Sequence, residues 1–552
     1  MKRKLPIGIE DFKEVKTHCY YVDKTMLLED LFARGESAVF LYARPRRFGK
    51  SLTLSMINYF FSDRYDSRAL FEGTAFAAAE PEKLEQLNSR NVVRLNLKSL
   101  EAPSFEVFVE ALSSKMSRLY DEQFRSKDGL SKAESEYVEA TINETLPLPK
   151  LEESLERICE LAFKQKGRKT MILIDEYDAP YQSGYENGYL DKAEPFLKNF
   201  LGNALKGNEF LSQAVLTGVT PVAKSSVFSD LNNVVVNTVL GDRPFEHFGF
   251  DAKETKDLLA YFGFTGDFTE VAQWYDGYVF QRKQVFNPWS ILSFVDNGFS
   301  FKPYWVKTGA NALVKKCLDL YVGDQTSDLF GKLMGEGLYA ELDENVDFSS
   351  LSGERPLLSL LVLSGYLSAD RNPLGMGALV AIPNEETRQA FRREIADYVA
   401  KSDKLGIMMK LRRALLNGEG EKVGDLLSRY VLESFSYLDL TSEKSYQLII
   451  NTLAALLFDD FVVDSEFPAG SGRADMYMRS KNDKSNAFVF ELKYLKGRKE
   501  TERLVTCAQK ALAQIRENDY TADARRFGYE NIHLYGIAFS GKRCHVASEA
   551  LR

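Results

Sequence analysis

Residues 38–52, AVFLYARPRRFGKSL, join a short apolar run to a basic loop and then to a second apolar segment. The run at 38–42 is typical of a buried strand. Apolar residues recur at helical spacing over 51–61, so a helix is predicted directly after the loop. This stretch therefore predicts a strand, a loop and a helix in immediate succession, which is a building unit of parallel α/β sheets.

The loop of this unit carries most of a phosphate-binding pattern. Gly49, Lys50 and Ser51 occupy the last three positions of GxxxxGK[ST], in the strand–loop–helix context that the pattern requires. In such loops, backbone N–H groups cradle phosphates, the lysine reaches the β- and γ-phosphates, and the serine hydroxyl binds Mg²⁺. Arg44 stands at the first glycine position, so a basic loop before an ordinary helix remains an alternative. The residues predicted to contact a nucleotide are Arg44, Arg46, Arg47, Phe48, Gly49, Lys50 and Ser51.

A second predicted strand ends in acids. MILIDEYDAP, at 171–180, is an apolar segment that ends in Asp175 and Glu176. Asp175 is placed to hold Mg²⁺ through water, and Glu176 to act as general base toward the water that attacks a γ-phosphate. A solvated strand end is the alternative, but the order of the two motifs favours a nucleotide site. Thr217, which ends the segment LSQAVLT, is a candidate γ-phosphate sensor or an ordinary turn residue.

The chain as a whole divides into three predicted regions. Apolar strands alternating with helices over residues 1–250 indicate a mainly parallel α/β sheet of the P-loop NTPase type. Over 251–430 the strand signals fade and helical patterns dominate, which predicts a mostly helical middle region. Trp289 and other aromatic residues there are more typical of core packing than of base stacking. A strand-rich α/β block returns over 431–552.

The C-terminal block carries a candidate metal site. Its patterns predict the order helix, three strands, helix, strand, with Asp475 on the second strand and Glu491 and Lys493 on the third. Residues two apart on a strand share a face, so Glu491 and Lys493 point the same way. We expect Asp475 and Glu491 to bind one Mg²⁺, with Lys493 orienting water or stabilising the charge on phosphorus. Glu443, from the first helix, is an outer candidate ligand; an edge strand with exposed charges is the alternative.

The charge of the chain is unevenly distributed. The 552 residues carry a net charge of −8, yet residues 431–552 sum to zero, and 493–526 contain nine basic and five acidic residues. A basic stretch beside the candidate metal site fits nucleic acid, although a solvated helix face explains many of these charges. Five scattered cysteines without a CxxC pair exclude a zinc ribbon or a disulfide scaffold. No secretory signal or membrane span is expected, so we predict a cytoplasmic protein.

Several motifs together resemble the bacterial AAA-ATPase-like family, whose members usually carry a C-terminal PD-(D/E)XK nuclease-superfamily domain. The N-terminal motifs are IGIEDF (7–12), YYVDKT (20–25), RPRRFGKSL (44–52), ILIDEYDAP (172–180), LTGVT (216–220) and FSDLNN (228–233). The later ones are WYDGYVF (274–280), VFNPWSIL (285–292), YW (304–305), SGYLS (364–368) and IPNEETRQAF (382–391). An arginine in place of the first P-loop glycine is usual in that family. Gln514, in AQIRENDY, is similar to a further superfamily motif that helps to position the lysine or the phosphate.

The resemblance implies ATP binding, and a restriction-endonuclease-like fold at the C-terminus. We predict a P-loop ATPase coupled to Mg²⁺-dependent cleavage of a phosphodiester backbone, with DNA favoured over RNA. The alternative is a nucleotide-dependent sensor whose nuclease-like domain binds nucleic acid or a partner without cleavage. The sequence leaves open the oligomeric state, a homo-oligomer included, and whether ATP drives a switch or a motor.

Overall fold

The computed structural model describes residues 3–551 apart from a set of internal ranges. Those ranges are 222–232, 242–246, 281–282, 306–328, 330–332, 334–336, 347–352, 372–376, 392–403, 435–445, 448, 451–452, 455–460, 482 and 497–500. The chain divides into two compact units. The N-terminal unit comprises Met1–Tyr321 and Leu338–Thr387, and the C-terminal unit comprises Val322–Gly337 and Arg388–Arg552.

A five-stranded parallel sheet organises the N-terminal unit, with the strand order β2-β3-β4-β1-β5. Its strands are β1 (Ala38–Ala43), β2 (Asn91–Asn96), β3 (Thr170–Asp175), β4 (Leu211–Gly218) and β5 (Val234–Asn237). Strands β1, β3 and β4 are buried along their whole length, as their continuous apolar sequences predict. The parallel α/β prediction is confirmed, and the order places β4 between the strand before the phosphate loop and the strand that ends in Asp175.

Helices connect these strands. The helices of this part are Phe12–His18, Leu27–Phe32, Lys50–Phe61, Arg68–Phe71, Ala75–Ala79, Phe105–Gln123, Lys132–Ile142, Leu148–Glu152, Ser154–Lys166, Ala179–Asn187 and Leu190–Leu205, with 3₁₀ helices at Pro81–Gln86 and Lys98–Leu100. Side-chain caps define several starts; the Ser131 hydroxyl accepts from Glu134 N while the Glu134 carboxylate accepts from Ser131 N, forming a capping box. The helix predicted at 151–166 is interrupted at Glu153.

The middle region contains helices and two small sheets. Its described helices within the N-terminal unit are Ala252–Phe262, Phe268–Tyr275, Pro288–Asp296 and Glu354–Ser364. Its strands are β6 (Tyr278–Phe280), β7 (Lys283–Val285), β8 (Leu338–Ala340), β9 (Ser368–Arg371) and β10 (Ala378–Ala381). The first two form a hairpin, and the other three form an antiparallel sheet ordered β8-β10-β9. These strands of three or four residues are too short to give a clear alternating pattern in the sequence.

The C-terminal unit contains a mixed five-stranded sheet in sequence order. Its strands are β11 (Phe461–Ala469), β12 (Gly472–Ser480), β13 (Asn486–Tyr494), β14 (Asn531–Ser540) and β15 (Arg543–Leu551). Only the pair β13–β14 is parallel, and its crossover contains the helices Thr501–Glu517 and Ala522–Phe527. The predicted order of three strands, helix and strand is confirmed, and β15 is an additional edge strand.

Two helices before this block also pack on the C-terminal sheet. Lys404–Leu416 and Gly420–Ser434 belong to the C-terminal unit, although sequence patterns placed most of them in the middle region. Tyr535 donates its hydroxyl hydrogen to Leu415 O at 2.6 Å, and Cys544 N donates to the Ser428 hydroxyl at 3.0 Å. The three-region boundaries stay a prediction. None of the helices in the described ranges combines the length and apolar character that a bilayer span requires.

Candidate functional site

The phosphate-binding pattern folds as a tight turn between β1 and the helix Lys50–Phe61. Gly49 caps that helix in the left-handed conformation, with φ at +84°, which glycine adopts without strain. Lys50 is buried, and its ammonium donates to the carbonyl oxygens of Arg44 and Pro45, each at 3.1 Å. Lys50 is thereby folded back over the loop, and Ser51 follows it at the helix N-terminus, where phosphate is favoured.

Arg44 holds the loop against the sheet through its side chain. Its fully buried guanidinium donates to Ala43 O at 2.7 Å, and to the backbone and side-chain oxygens of Asn237 at 2.8 and 3.0 Å. The guanidinium carbon also lies 4.9 Å from the ring centre of Phe248. Arg44 was expected to contact a nucleotide, but its described side-chain contacts lie in the core, and its carbonyl oxygen is the group that meets Lys50.

The next loop residues contact the middle region. The Arg46 carbonyl oxygen accepts from Trp305 Nε1 at 3.3 Å. The Arg47 guanidinium lies over the Trp289 ring, 4.2 Å from its centre, and the buried Phe48 ring meets the Tyr278 ring edge-on at 5.2 Å. Arg47 and Phe48 therefore pack this loop against its neighbours, whereas a glycine-rich loop would lack such side chains.

A cavity of about 210 Å³ adjoins the loop. Lys50, Ser51 and Glu176 line its polar part. The less polar wall includes Ile9, Val22, Phe250, Pro288, Trp289 and Leu292. A cavity with a cationic end beside Lys50 and an apolar and aromatic wall has the chemistry to take a nucleotide.

The carboxylate of Asp175 is fully buried at the end of β3. Its Oδ1 accepts a hydrogen bond of 2.6 Å from the Thr217 hydroxyl on β4. Its Oδ2 is buried without a hydrogen-bond partner among the described residues. A buried carboxylate oxygen lacking a donor suits a hydrated Mg²⁺, whose bound waters would donate to it.

Glu176 follows directly, in the left-handed conformation with φ at +53°. Burial raises the pKa of Glu176 above its usual value, and the nearby Lys50 ammonium opposes that rise. Asp178 fixes the opposite loop, since its Oδ2 accepts from Val219 N at 2.9 Å and from Thr220 N at 2.8 Å. Asp175 is thus tied to Thr217 on β4, and Asp178 to the loop after β4, so an anchored acid lies on either side of Glu176.

Two further residues of the cavity, Lys24 and His247, had been given no role from the sequence. Lys24 forms an ion pair with Glu254, its ammonium lying 2.7 Å from each carboxylate oxygen. His247 also lines the cavity, and burial lowers its pKa to about 4, with the charges of Lys24 and Arg44 acting in the same direction. Trp289 lines the same cavity, where the sequence had favoured core packing. Only the motif likeness of 285–292 marked that tryptophan.

The C-terminal unit brings three predicted residues together. The β12–β13 ladder ends at the pair Met476–Phe490, and Asp475 follows on the same face as Glu491. Asp475 Oδ2 accepts from Leu492 N at 2.7 Å, whereas Lys493 donates to Glu491 Oε1 at 2.6 Å. Glu491 is buried while Lys493 is partly exposed, so the charges do not lie on a solvated edge.

The remaining predicted residues of this unit are Glu443 and Gln514. Glu443 falls outside the described residues, and Gln514 is half-buried on the helix Thr501–Glu517. Within the described ranges, no group of three or more His, Cys, Asp or Glu side chains is arranged to hold a metal. In the basic stretch, Arg516 pairs with Glu549 and Arg525 with Asp519. Exposed basic side chains of the same stretch are Lys496, Arg503, Lys510 and Arg526.

Each unit contains a segment that matches a known protein family. Residues 6–228 match the predicted AAA-ATPase family, and residues 441–549 match the PD-(D/E)XK nuclease superfamily. The chain is also 26% identical over 317 residues to an uncharacterized protein in the vnfD 5′ region of Azotobacter chroococcum mcd 1. That match covers 56% of this chain and 54% of the relative, so the chain spans about half the length of the curated protein. The AAA-ATPase match thus falls in the N-terminal unit, and the PD-(D/E)XK match in the C-terminal unit.

Proposed function

We propose that the N-terminal unit binds and hydrolyses MgATP, and that the C-terminal unit cleaves a phosphodiester backbone, with DNA as its preferred substrate. The observation that carries the nucleotide half is the position of Lys50, Asp175 and Glu176 at one edge of the parallel sheet, beside a cavity. ATP occupancy would then control when the nuclease-like unit acts.

The polar groups of the site suit a nucleoside triphosphate. Lys50 would exchange its bonds to loop carbonyl oxygens for bonds to phosphate oxygens, which are charge-assisted and stronger. Ser51 and Asp175 would hold Mg²⁺, the latter through water. Mg²⁺, when bound, supplies charge neutralisation on the phosphates.

Glu176 is the candidate general base. A base works best when its pKa approaches the working pH, and burial moves the pKa of Glu176 upward, in that direction. The Thr217 hydroxyl holds Asp175, and Asp178 holds the loop at Val219, so the backbone on either side of Glu176 is fixed. Such fixed surroundings orient a carboxylate toward one water molecule.

Calorimetric titration with MgATP tests this half. Lys50→Ala removes charge-assisted bonds to phosphate and should weaken ATP binding about tenfold or more. Lys83→Ala is the matched control, because Lys83 is a partly exposed lysine paired with Glu80 and lies outside the cavity lining. Equal ATP affinities for the wild type and Lys50→Ala would refute the proposed phosphate site.

Asp475, Glu491 and Lys493 support the cleavage half. Two carboxylates on neighbouring strands can bind one divalent cation, which lowers the pKa of bound water. Lys493 is held beside Glu491 and can stabilise negative charge on the phosphate. Nearby exposed basic residues provide a local attraction for a nucleic-acid backbone.

The Lys493–Glu491 ion pair also supports a second candidate function. An ammonium already neutralises the buried carboxylate, so the C-terminal unit could bind nucleic acid or a partner without metal, as a nucleotide-dependent sensor. Mn²⁺ binding followed by electron paramagnetic resonance separates the two functions. Cleavage predicts a Mn²⁺ site that Glu491→Gln removes and that the exposed-surface control Asp483→Asn keeps. The sensor predicts DNA binding without that site.

A further inference from the structure

The phosphate loop is held by two tryptophans that share one anchor. Glu386, in the motif IPNEETRQAF, is fully buried. Its Oε1 accepts from the backbone N–H groups of Tyr304 and Trp305, at 2.6 and 2.8 Å. Its Oε2 accepts from the Ser290 hydroxyl at 2.6 Å. One carboxylate thus fixes Trp305 and the helix that carries Ser290 relative to each other.

The first connection runs through Trp305. The backbone of Trp305 is held by Glu386, and its indole N–H donates to Arg46 O in the loop at 3.3 Å. Gly365 lies beside Trp305 and the loop residue Pro45, since a Cβ built there would stand 2.8 Å from Pro45 Cβ and 3.6 Å from the Trp305 ring. The loop therefore packs tightly on Trp305 and on the end of the helix Glu354–Ser364.

The second connection runs through Trp289. Its neighbour Ser290 donates to Glu386, and the Trp289 ring lies under the Arg47 guanidinium at 4.2 Å. Trp289 also lines the candidate nucleotide cavity. The buried Glu386 carboxylate is thus linked to two consecutive loop residues. Trp305 connects it to Arg46, and the Ser290–Trp289 pair connects it to Arg47.

A buried carboxylate is costly unless donors surround it, so its presence at this junction needs a reason. Burial raises the pKa of Glu386 to about 7, and the Ser290 hydroxyl with the backbone N–H groups of Trp305 and Tyr304 opposes the rise. An alanine would leave these donors without acceptors, whereas a glutamine keeps the shape, an acceptor oxygen and a group able to bond Ser290.

We propose that Glu386 is a positioning residue for the phosphate-binding loop, and that it sets nucleotide affinity by holding Trp305 against Arg46 and Trp289 against Arg47. The effect on nucleotide affinity rests on the proposed nucleotide function. The effect on the position of the loop does not, because it can be measured in the nucleotide-free protein. Glu386 adjoins Thr387, the last residue of the N-terminal unit, so the loop is anchored where the chain leaves that unit.

Hydrogen–deuterium exchange on the full-length, nucleotide-free protein tests the position of the loop. We expect Glu386→Ala to speed exchange at residues 44–48 about tenfold, and Glu386→Gln to stay within about twofold of the wild type. Trp305→Phe removes the indole N–H donor together with part of the ring and should speed exchange near Arg46, which covers the case in which Glu386→Ala fails to fold. Val138→Ala is the control, since it removes buried volume on the helix Lys132–Ile142.

Nucleotide affinity is measured on the wild type and on the two Glu386 variants in a Trp274→Phe background, where Trp289 and Trp305 are the remaining tryptophans. We expect MgATP to change their fluorescence and Glu386→Ala to raise the Kd about tenfold, with Glu386→Gln close to the parent. Wild-type exchange at 44–48 in both Glu386→Ala and Trp305→Phe overturns the positioning role. Faster exchange in a protein that binds no ATP supports the positioning role and refutes the nucleotide function instead.

Discussion

Thr217 donates its hydroxyl hydrogen to Asp175 across 2.6 Å, between neighbouring parallel strands that end at the candidate nucleotide site. Both side chains are fully buried, so water cannot replace the bond. The bond fixes one oxygen of Asp175 and leaves Oδ2 for a ligand. Thr217 therefore acts on the site through Asp175, as well as through any contact of its own with a phosphate.

Replacing Thr217 with valine should separate this role from packing. Thr217→Val keeps the shape of the side chain but leaves a buried carboxylate oxygen without its donor, which costs about 1–3 kcal/mol. We expect ATP turnover to fall about tenfold, with a smaller change in KM. Steady-state ATPase kinetics measure both, and Thr217→Ser, which keeps a hydroxyl, should retain most of the kcat. Equal kcat values for the valine variant and the wild type would contradict the role.

The close approach of Gly365 to Pro45 gives a second test. Gly365→Ala places a methyl group 2.8 Å from Pro45 Cβ in a left-handed conformation, so it combines backbone strain with a clash against the phosphate loop. We expect a loss of about 2–4 kcal/mol in the free energy of unfolding and weaker ATP binding.

Gly167→Ala is the matched control for that variant. Gly167 also ends a helix with a positive φ, but a Cβ there would meet nothing within 4 Å. It lies before β3, at the end of the strand opposite to Asp175. We expect a loss of about 1 kcal/mol from strain alone, with unchanged ATP affinity. Urea unfolding and MgATP titration of both variants make the comparison, and equal effects would argue against a tight loop contact.

Glu386 should give the N-terminal unit a pH-dependent stability. Its pKa is about 7 in the folded protein against an ordinary 4.5, so its relative contribution is fully present below pH 4.5 and is lost as the pH rises through 7. The facing tyrosines Tyr275, Tyr278 and Tyr304 have pKa values raised by burial and do not titrate in this range.

Glu386→Gln removes that titration while keeping the shape. Relative to the wild type, the glutamine variant should gain stability between pH 5 and pH 8, by up to about 3 kcal/mol. Urea unfolding followed by tryptophan fluorescence measures it, because all three tryptophans lie in the N-terminal unit. Parallel pH profiles for the two proteins would show that Glu386 does not titrate in this range.

Local patterns were enough to predict much of the fold. The strands that carry Asp175, Thr217 and Glu491 lie where their apolar runs predicted, because a buried strand leaves a continuous apolar signature. The turn before Lys50 was predicted because Gly49, Lys50 and Ser51 match the phosphate-binding pattern. The edge strands β5 and β15 were missed, because the apolar run of β5 is only three residues long and β15 mixes polar and apolar residues.

The anchoring of the loop could not be predicted from patterns. Glu386 meets Ser290 and Trp305 across 96 and 81 residues, and Trp305 meets Arg46 across 259. Periodicity describes only the local chain, so it cannot pair such distant residues. Residue type can also mislead. Arg44 suggested phosphate contact because it is basic, but its position after β1 directs the guanidinium into the core.

We propose that one chain combines an ATPase with a metal-dependent nuclease, and one cleavage assay tests this proposal directly. Wild type and Glu491→Ala are incubated with several DNA and RNA substrates, with Mg²⁺ or Mn²⁺, with and without ATP. We expect metal-dependent cleavage, strongest on DNA and altered by ATP, for the wild type alone, while both proteins hydrolyse ATP. Absence of cleavage under every condition, or equal cleavage by both proteins, would contradict it.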